Sequence, residues 1–306
     1  MMEKSKLLPV YFNKTLLKFV ALLTLGLIAT TITTSIVPHR DKLKHQINDS
    51  FKFGSLLFSE DFEANNIAGW ARDLCCRHSL RLESSLVRSG EQAAKVTLYR
   101  QDPLVENSVR SEIKRYGLFG MGTERWYGFS IFLPADYIAD DSLEIVTQWH
   151  SVPDFYRQET WRTPPLALIT ANGNWSIYRR WDSNKVTQGG LFQPGVSTGD
   201  TESIDLGAYE RGVWTDWVFY VKWSHESDGL LKVWKNGNLV VNRTGPNTFH
   251  DLIGPYFKIG IYKPSWKDDS TTSSINKRTL YIDEIRIGNA KAEYQDVAPQ
   301  HNVKTN

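Results

Sequence analysis

Cysteine is nearly absent: the 306 residues hold two, Cys75 and Cys76, and they are neighbours. Vicinal cysteines are strained partners, so the pair is expected as one buried and one partly exposed thiol, and no disulfide framework is expected. Two adjacent thiols with no second pair nearby match no zinc spacing, so no metal is expected from them. Charge of one sign is also lacking, since 36 Lys and Arg face 34 Asp and Glu for a net +2. Charge on that scale gives no reason to expect nucleic acid as a partner. Helical periodicity is missing beyond one N-terminal stretch, as are fixed-period repeats and low-complexity blocks. A strand run of the form Glu-x-Asp-x-x-Glu, frequent in sandwich hydrolases that work through two carboxylates, is missing too, and Glu144 stands alone on its strand face. Hydrolysis is therefore the least favoured chemistry. No EF-hand loop is present and no cofactor is expected, although a structural calcium site made of scattered carbonyls and carboxylates would leave no signature.

What is present is an ordinary globular balance, 41% hydrophobic and 23% charged, with enough chain for one large β domain. Residues 1–18 form a basic tail with Lys4, Lys6, Lys14 and Lys18, followed at 19–37 by an uncharged apolar run. That is the layout of a signal peptide or signal anchor. The run is close to the ~20 residues a spanning helix needs, and no clear A-x-A site follows it, which favours an uncleaved anchor. Arg40, Lys42 and Lys44 on its far side weaken the charge asymmetry. In either case the folded part is expected outside the cytoplasm, membrane-bound through this segment if it stays uncleaved, and periplasmic or secreted otherwise. Residues 38–53 read as a stem, 54–290 as the folded domain and 291–306 as a polar tail.

Within the domain nearly every apolar pattern is that of a strand. Strands are expected over 56–62, 93–99, 126–133, 143–150, 166–170, 175–181, 214–223, 230–241, 256–262 and 279–287. Asn236-Gly237 between two alternating runs predicts a type I′ hairpin. The fold class that follows is all-β, a β-sandwich jelly roll of the concanavalin A-like kind, with one N-terminal apolar helix.

Three stretches place polar residues two apart: Arg110-Ser-Glu112-Ile-Lys114, Gln148-Trp-His150 and Lys258-Ile-Gly260-Ile-Tyr262. In strands each set shares a face. If the strands are neighbours, one surface carries Arg110, Glu112, Lys114, Gln148, His150, Lys258 and Tyr262, a set suited to an acidic sugar polymer. Breaking a uronate polymer by β-elimination requires neutralising the C6 carboxylate, removing the C5 proton and protonating the leaving oxygen. Arg110 and Gln148 are suitable donors to the carboxylate and the charge that develops on it. His150, with an ordinary pKa near ~6.5, suits the base. Tyr262 can protonate the leaving oxygen, or act as base from the other face of the sugar. Lys258 can tune the tyrosine or hold a carboxylate. Glu112 is expected to orient Arg110, because a free carboxylate would repel the substrate.

These three stretches, extended to Tyr256-Phe-Lys-Ile-Gly-Ile-Tyr262, resemble the signature strands of jelly-roll polysaccharide lyases of the alginate lyase type. A wider frame is more similar to the lyase family that includes heparin lyase I and glucuronan lyase. It comprises Trp126-Tyr-Gly-Phe-Ser-Ile-Phe-Leu-Pro134, Trp223-Ser-His-Glu-Ser-Asp-Gly229, Trp234-Lys-Asn-Gly237 and Tyr281-Ile-Asp-Glu-Ile-Arg-Ile-Gly288. The resemblance implies a β-sandwich with a groove, His150 and Tyr262 as the proton-transfer pair, and Gln148 with Arg110 as the carboxylate neutraliser. Two positions depart from the alginate lyase pattern, Trp149 for an aliphatic residue and Lys114 for arginine. The chain is also short for the basic thumb of heparin lyase I, which argues against a sulfated substrate.

A non-catalytic carbohydrate-binding sandwich is the competing reading, because one fold serves both roles. Eleven tryptophans are numerous, and most are expected in the core. Trp161, Trp181 and Trp266 lie beside charged residues in loop-like sequence, where a ring could stack on sugar. Arg162, Arg179, Arg180, Lys263 and Lys267 are candidates to line the groove, equally readable as surface charge. The expected partner is an acidic polysaccharide, bound by a monomer.

Overall fold

A computed structural model describes residues 54–117, 119–188, 199–267 and 273–300. The segments 1–18, 19–37 and 38–53 therefore lie outside the described residues, and with them the expected apolar helix. Two antiparallel sheets account for almost all the rest. The first runs β13 (Asn238–Thr244), β12 (Leu230–Lys235), β11 (Trp214–Lys222), β6 (Glu124–Phe132), β15 (Lys277–Gly288), β4 (Ala93–Tyr99) and β3 (Leu80–Glu83), with β1 (Leu56–Glu60) also paired to β15. The second runs β10 (Asp200–Ala208), β9 (Asn174–Trp181), β8 (Leu166–Ala171), β7 (Glu144–Val152), β14 (Ile253–Tyr262), β5 (Arg110–Arg115) and β2 (Ala71–Asp73). In each sheet a run of hairpin-linked strands (β11–β12–β13, β7–β8–β9–β10) is joined to strands distant in sequence, as in a jelly roll.

Period-two alternation assigns the faces. In β14, Phe257, Ile259 and Ile261 enter the core between the sheets, leaving Tyr256, Lys258 and Tyr262 on the outer face. In β11, Trp217, Phe219 and Val221 do the same from the other sheet. The core is heavily aromatic: Trp149 packs against Phe219 at 4.7 Å and against Tyr127 at 5.2 Å between ring centroids. Trp149 is thus a core residue directed away from Gln148 and His150. The hairpin between β12 and β13 has Asn236 and Gly237 at φ of 50° and 80°, the type I′ pattern.

One expectation is corrected, and some elements are added to those expected. Cys75 and Cys76 form a disulfide and are both half-buried. Within the polar tail, α1 (Tyr294–Val297) packs on β6 and β15 with Val297 fully buried. Any side chain at Gly128 would collide with the Val297 carbonyl, so β6 is bare where the helix lies. Finally, β2, β3 and the edge strand β10 are too short or too polar to stand out in the sequence.

Candidate active site

β7, β14 and β5 are adjacent in the second sheet, so the three polar stretches do share one outer face. Register then sorts them into rows across the strands. One row holds Lys114, Lys258, Gln148, Ala167 and Tyr178, on five successive strands from β5 to β9. A second holds Arg110, Tyr262, Ile145 and Ile169. His150 faces Tyr256, at the opposite end of the face from Tyr262.

The centre of the face is a buried ion cluster. Glu112, 1% exposed, accepts hydrogen bonds from Gln148 Nε2 at 2.5 Å and from Arg110 at 3.3 Å, and pairs with Lys258 at 2.8 Å. Lys258 also pairs with Asp73 at 2.9 Å, and Lys114 reaches the other Asp73 oxygen at 2.5 Å. Burial pushes both carboxyls upward, yet the surrounding cations and the Gln148 amide outweigh it and hold Glu112 and Asp73 below their ordinary range. Gln148 and Lys258 are themselves buried, so they build the floor while Arg110 and Lys114 keep some exposure. Gly260 makes this closeness feasible: its φ is 146°, and a Cβ there would lie 2.2 Å from the Ser111 carbonyl oxygen on β5.

His150 sits at the edge of this cluster. Its Nδ1–H donates to the Ser151 carbonyl at 3.0 Å, which leaves Nε2 as the free lone pair. Burial first, then the positive charges of Lys258 and Arg110, bring its pKa down to about 4, against the opposing Ser151 carbonyl and Glu112. The imidazole is therefore neutral near pH 7. Tyr256, 7% exposed, lies against it with ring centroids 5.6 Å apart at 26°. Burial, followed by Tyr116, Glu112 and Asp73, drives the Tyr256 pKa far upward, so its phenol stays protonated. Its hydroxyl has no hydrogen-bond partner among the described residues.

Tyr262, expected beside His150, lies toward the other end of β14 from Tyr256. From Tyr256 to Tyr262 the strand spans on the order of 20 Å at about 3.3 Å per residue. The Tyr262 hydroxyl turns further away, to Ser108 Oγ at 3.3 Å, and its ring lies under the Arg110 guanidinium at 4.2 Å. Register thus pairs His150 with Tyr256 across β7 and β14, while Tyr262 is paired with Arg110 toward the other end of β14. The motif contains both tyrosines, and only the strand register distinguishes them.

The other candidates divide by burial. Arg180 remains on the outer face, beside Tyr178 at 4.9 Å, with burial lowering its pKa to about 10. Trp181 points the other way along β9 and carries Arg179 on its ring at 4.9 Å. Trp266 is 4% exposed in a short 3-10 turn, its indole N–H donating to Ser273 Oγ at 2.9 Å, so neither tryptophan lines the face. Lys263, Arg162 and Arg179 are buried ion-pair partners rather than groove cations. Trp161, in contrast, is 57% exposed and meets the His150 ring edge-on at 5.6 Å. Its loop is pinned from beneath by Arg162, which pairs with Glu159 at 3.1 Å and with Asp251.

The fold defines a class: a two-sheet jelly roll whose second sheet carries a polar, ion-lined outer face. The sequence profile of the polysaccharide lyase family matches residues 55–286, and the chain belongs to that family. No curated protein sequence matches the chain. Among solved structures it is similar to the endo-β-1,4-glucuronan lyase of the fungus Trichoderma reesei, with 21% identity over 80% of this chain and 99% of that one and a TM-score of 0.67. It is also similar to an exolytic alginate lyase of Zobellia galactanivorans, with 10% identity over 74% and 96% of the two chains and a TM-score of 0.50. The chain is a polysaccharide lyase, and at these identities the two structures bear on its fold alone.

Proposed function

We propose that this lyase cleaves a uronic-acid polysaccharide, glucuronan-like or alginate-like, by β-elimination with His150 as base and Tyr256 as acid. The observation that carries the proposal is the pair of opposed environments on touching rings: a neutral imidazole with Nε2 free beside a phenol held protonated. In the reaction, Nε2 takes the C5 proton, the C4–C5 double bond forms, the C4–O bond breaks, and the Tyr256 hydroxyl gives its proton to the departing oxygen. A proton returned from His150 to Tyr256, directly or through solvent, resets the pair. Arg110 and Lys114 face the substrate carboxylate and the enolate-like charge that builds on it. Gln148, Lys258 and Glu112 fix those cations in place. Tyr262 and Arg180 lie farther along the face, where they contact other units of the polymer.

Acidity of the substrate is supported by the charge balance. Arg110, Lys114 and Lys258 set three positive charges against the two carboxylates Asp73 and Glu112, leaving one in excess. One surplus charge matches one carboxylate at the cleaved unit and suits a densely sulfated chain poorly. Export is supported by the basic tail and apolar run of residues 1–37. Among the described residues no helix is long and apolar enough to cross a membrane. Fractionation of cells making the full chain would test that segment, and recovery in the cytosol would refute export.

The test of function is incubation of the purified chain with glucuronan, alginate, pectate and heparin-type polymers, following ultraviolet absorbance of unsaturated ends and sizing the products. Absorbance growth on a non-sulfated uronate polymer, lost in His150→Ala and Tyr256→Phe, is the expected result. Silence across the whole panel would refute uronate elimination.

A further inference from the structure

Five rings form an unbroken line across the edge of the outer face. Phe155 meets Trp161 at 5.4 Å, Trp161 meets His150 at 5.6 Å, His150 meets Tyr256 at 5.6 Å, and Tyr256 meets Tyr116 at 4.9 Å. The line crosses the strands instead of following one, running from the connection after β7, over β7 and β14, to the end of β5. Its centre is half-buried or buried, while its flanks are open: Phe155 is 52% exposed, Trp161 57% and Tyr116 55%. Single exposed rings are ordinary, but exposed apolar groups gathered along one line form a patch of the kind that marks a contact site. These two flanks come from separate chain segments, yet both abut the same pair of reactive rings.

Chemistry differs on the two sides of the line. Toward the middle of the sheet lie Lys114, Lys258 and Gln148, one row in. Within the line itself every member presents a ring. A pyranose has an apolar C–H face and a polar edge, so a chain lying along the line would set ring faces on aromatics and carboxylate edges toward the cations.

We propose that the polysaccharide lies across the strands along this line, with the sugar on one side of the scissile bond stacked on Trp161 and the sugar on the other side stacked on Tyr116. The proposal rests on His150 and Tyr256 being the reacting pair, and it adds two flanking binding sites that recognise sugar by its apolar face rather than by its charge. Phe155 braces Trp161 edge-on, and the buried Glu159–Arg162–Asp251 ion pairs fix the height of that loop. Lys114, 5.7 Å from the Tyr116 ring, braces the other flank.

Binding separates this idea from the chemistry. In the full chain carrying Tyr256→Phe, which keeps the ring and removes the hydroxyl, oligosaccharides of the cleaved polymer are titrated by tryptophan fluorescence and by calorimetry. Adding Trp161→Ala or Tyr116→Ala should weaken binding severalfold to about tenfold each, the worth of one aromatic contact. Trp161→Phe and Tyr116→Phe should restore most of it. Leu239→Ala, at an exposed apolar position on the edge of the other sheet, is the control and should bind like its parent. In the otherwise native enzyme the two alanine variants should raise KM more than they lower kcat. Parental affinity and KM in both alanine variants would overturn the proposal. If the native enzyme cleaves no uronate polymer, the acid and base assignment fails first, and retention of polymers by the native chain, lost in Trp161→Ala and Tyr116→Ala, would still report on the stacking sites.

Discussion

Tyr256 and Tyr262 occupy the two ends of one strand and point from the same face, yet their surroundings share little. Tyr256 is packed between His150 and Tyr116, under the influence of two buried carboxylates, and is held as a neutral acid. Tyr262 is capped by Arg110, hydrogen-bonded to Ser108 and bordered by Ile145, Ala167 and Ile169. One end has a free proton donor beside a free proton acceptor. At the other end the hydroxyl is already engaged. The difference shows that the environment of a phenol on this sheet is set by neighbours across the strands, which residue type alone does not specify.

The contrast breaks most directly when single hydroxyls are removed. Tyr256→Phe and His150→Ala should each lower kcat by roughly 10²–10⁴-fold, the usual worth of a general acid or base. Tyr262→Phe should leave kcat near the native value on the same polymer, and equal losses at both tyrosines would erase the distinction. The next effect is on stability. Glu112→Ala leaves the buried Gln148 amide unpaired and Lys258 with Asp73 as its one carboxylate, and should cost about 3–5 kcal/mol in denaturant titrations, as expected when one partner of a buried ion pair is removed. Ser108→Ala, at the Tyr262 end, removes one partly exposed hydrogen bond and should cost about 1 kcal/mol or less. Between these lies Gly260→Ala, where φ of 146° and the nearby Ser111 carbonyl should cost about 1–3 kcal/mol in strain.

The smallest of these effects concerns pH. With His150 brought down to about 4, the acid limb of kcat/KM should lie near pH 4 and not near the ordinary histidine value. Arg110 is one of the charges that lower it, so Arg110→Gln should move the limb upward by roughly a unit or less. Glu112 and Asp73 have folded pKa values below their ordinary 4.5 and 3.8, so the stability they add is present above that range and is lost as pH falls through the folded values. Circular dichroism recorded alongside the rates separates loss of the base from loss of the fold.

Much of the architecture was legible because alternation is a local property. The strand spans, the Asn236-Gly237 hairpin and the membership of each face followed from residues two apart. The site was legible only as a set. Which tyrosine faces His150 depends on register, and register here includes irregularities between Ile145 and Thr147 and between Ile259 and Tyr262. No single stretch encodes those. Loop residues were harder still: Trp161 and Trp266 both sit among charged neighbours in sequence, but the first is exposed beside His150 and the second is buried against Ser273. Tyr116, just past the last residue of β5, had no partner in the sequence to mark it. The Cys75–Cys76 bridge escaped notice because a general expectation about neighbours was stronger than any local signal.

The near-cancellation of charge in the central cluster has a consequence for ionic strength. A trough with one uncompensated cation attracts few mobile counterions, so a polyanion settling into it displaces few. Its grip should weaken only gently as sodium chloride rises through the range where the Debye length shrinks from about 10 Å to about 3 Å. On the proposed uronate substrate, a lyase built this way is expected to keep working in brine and to release its shortened products without a dense cationic surface to hold them back.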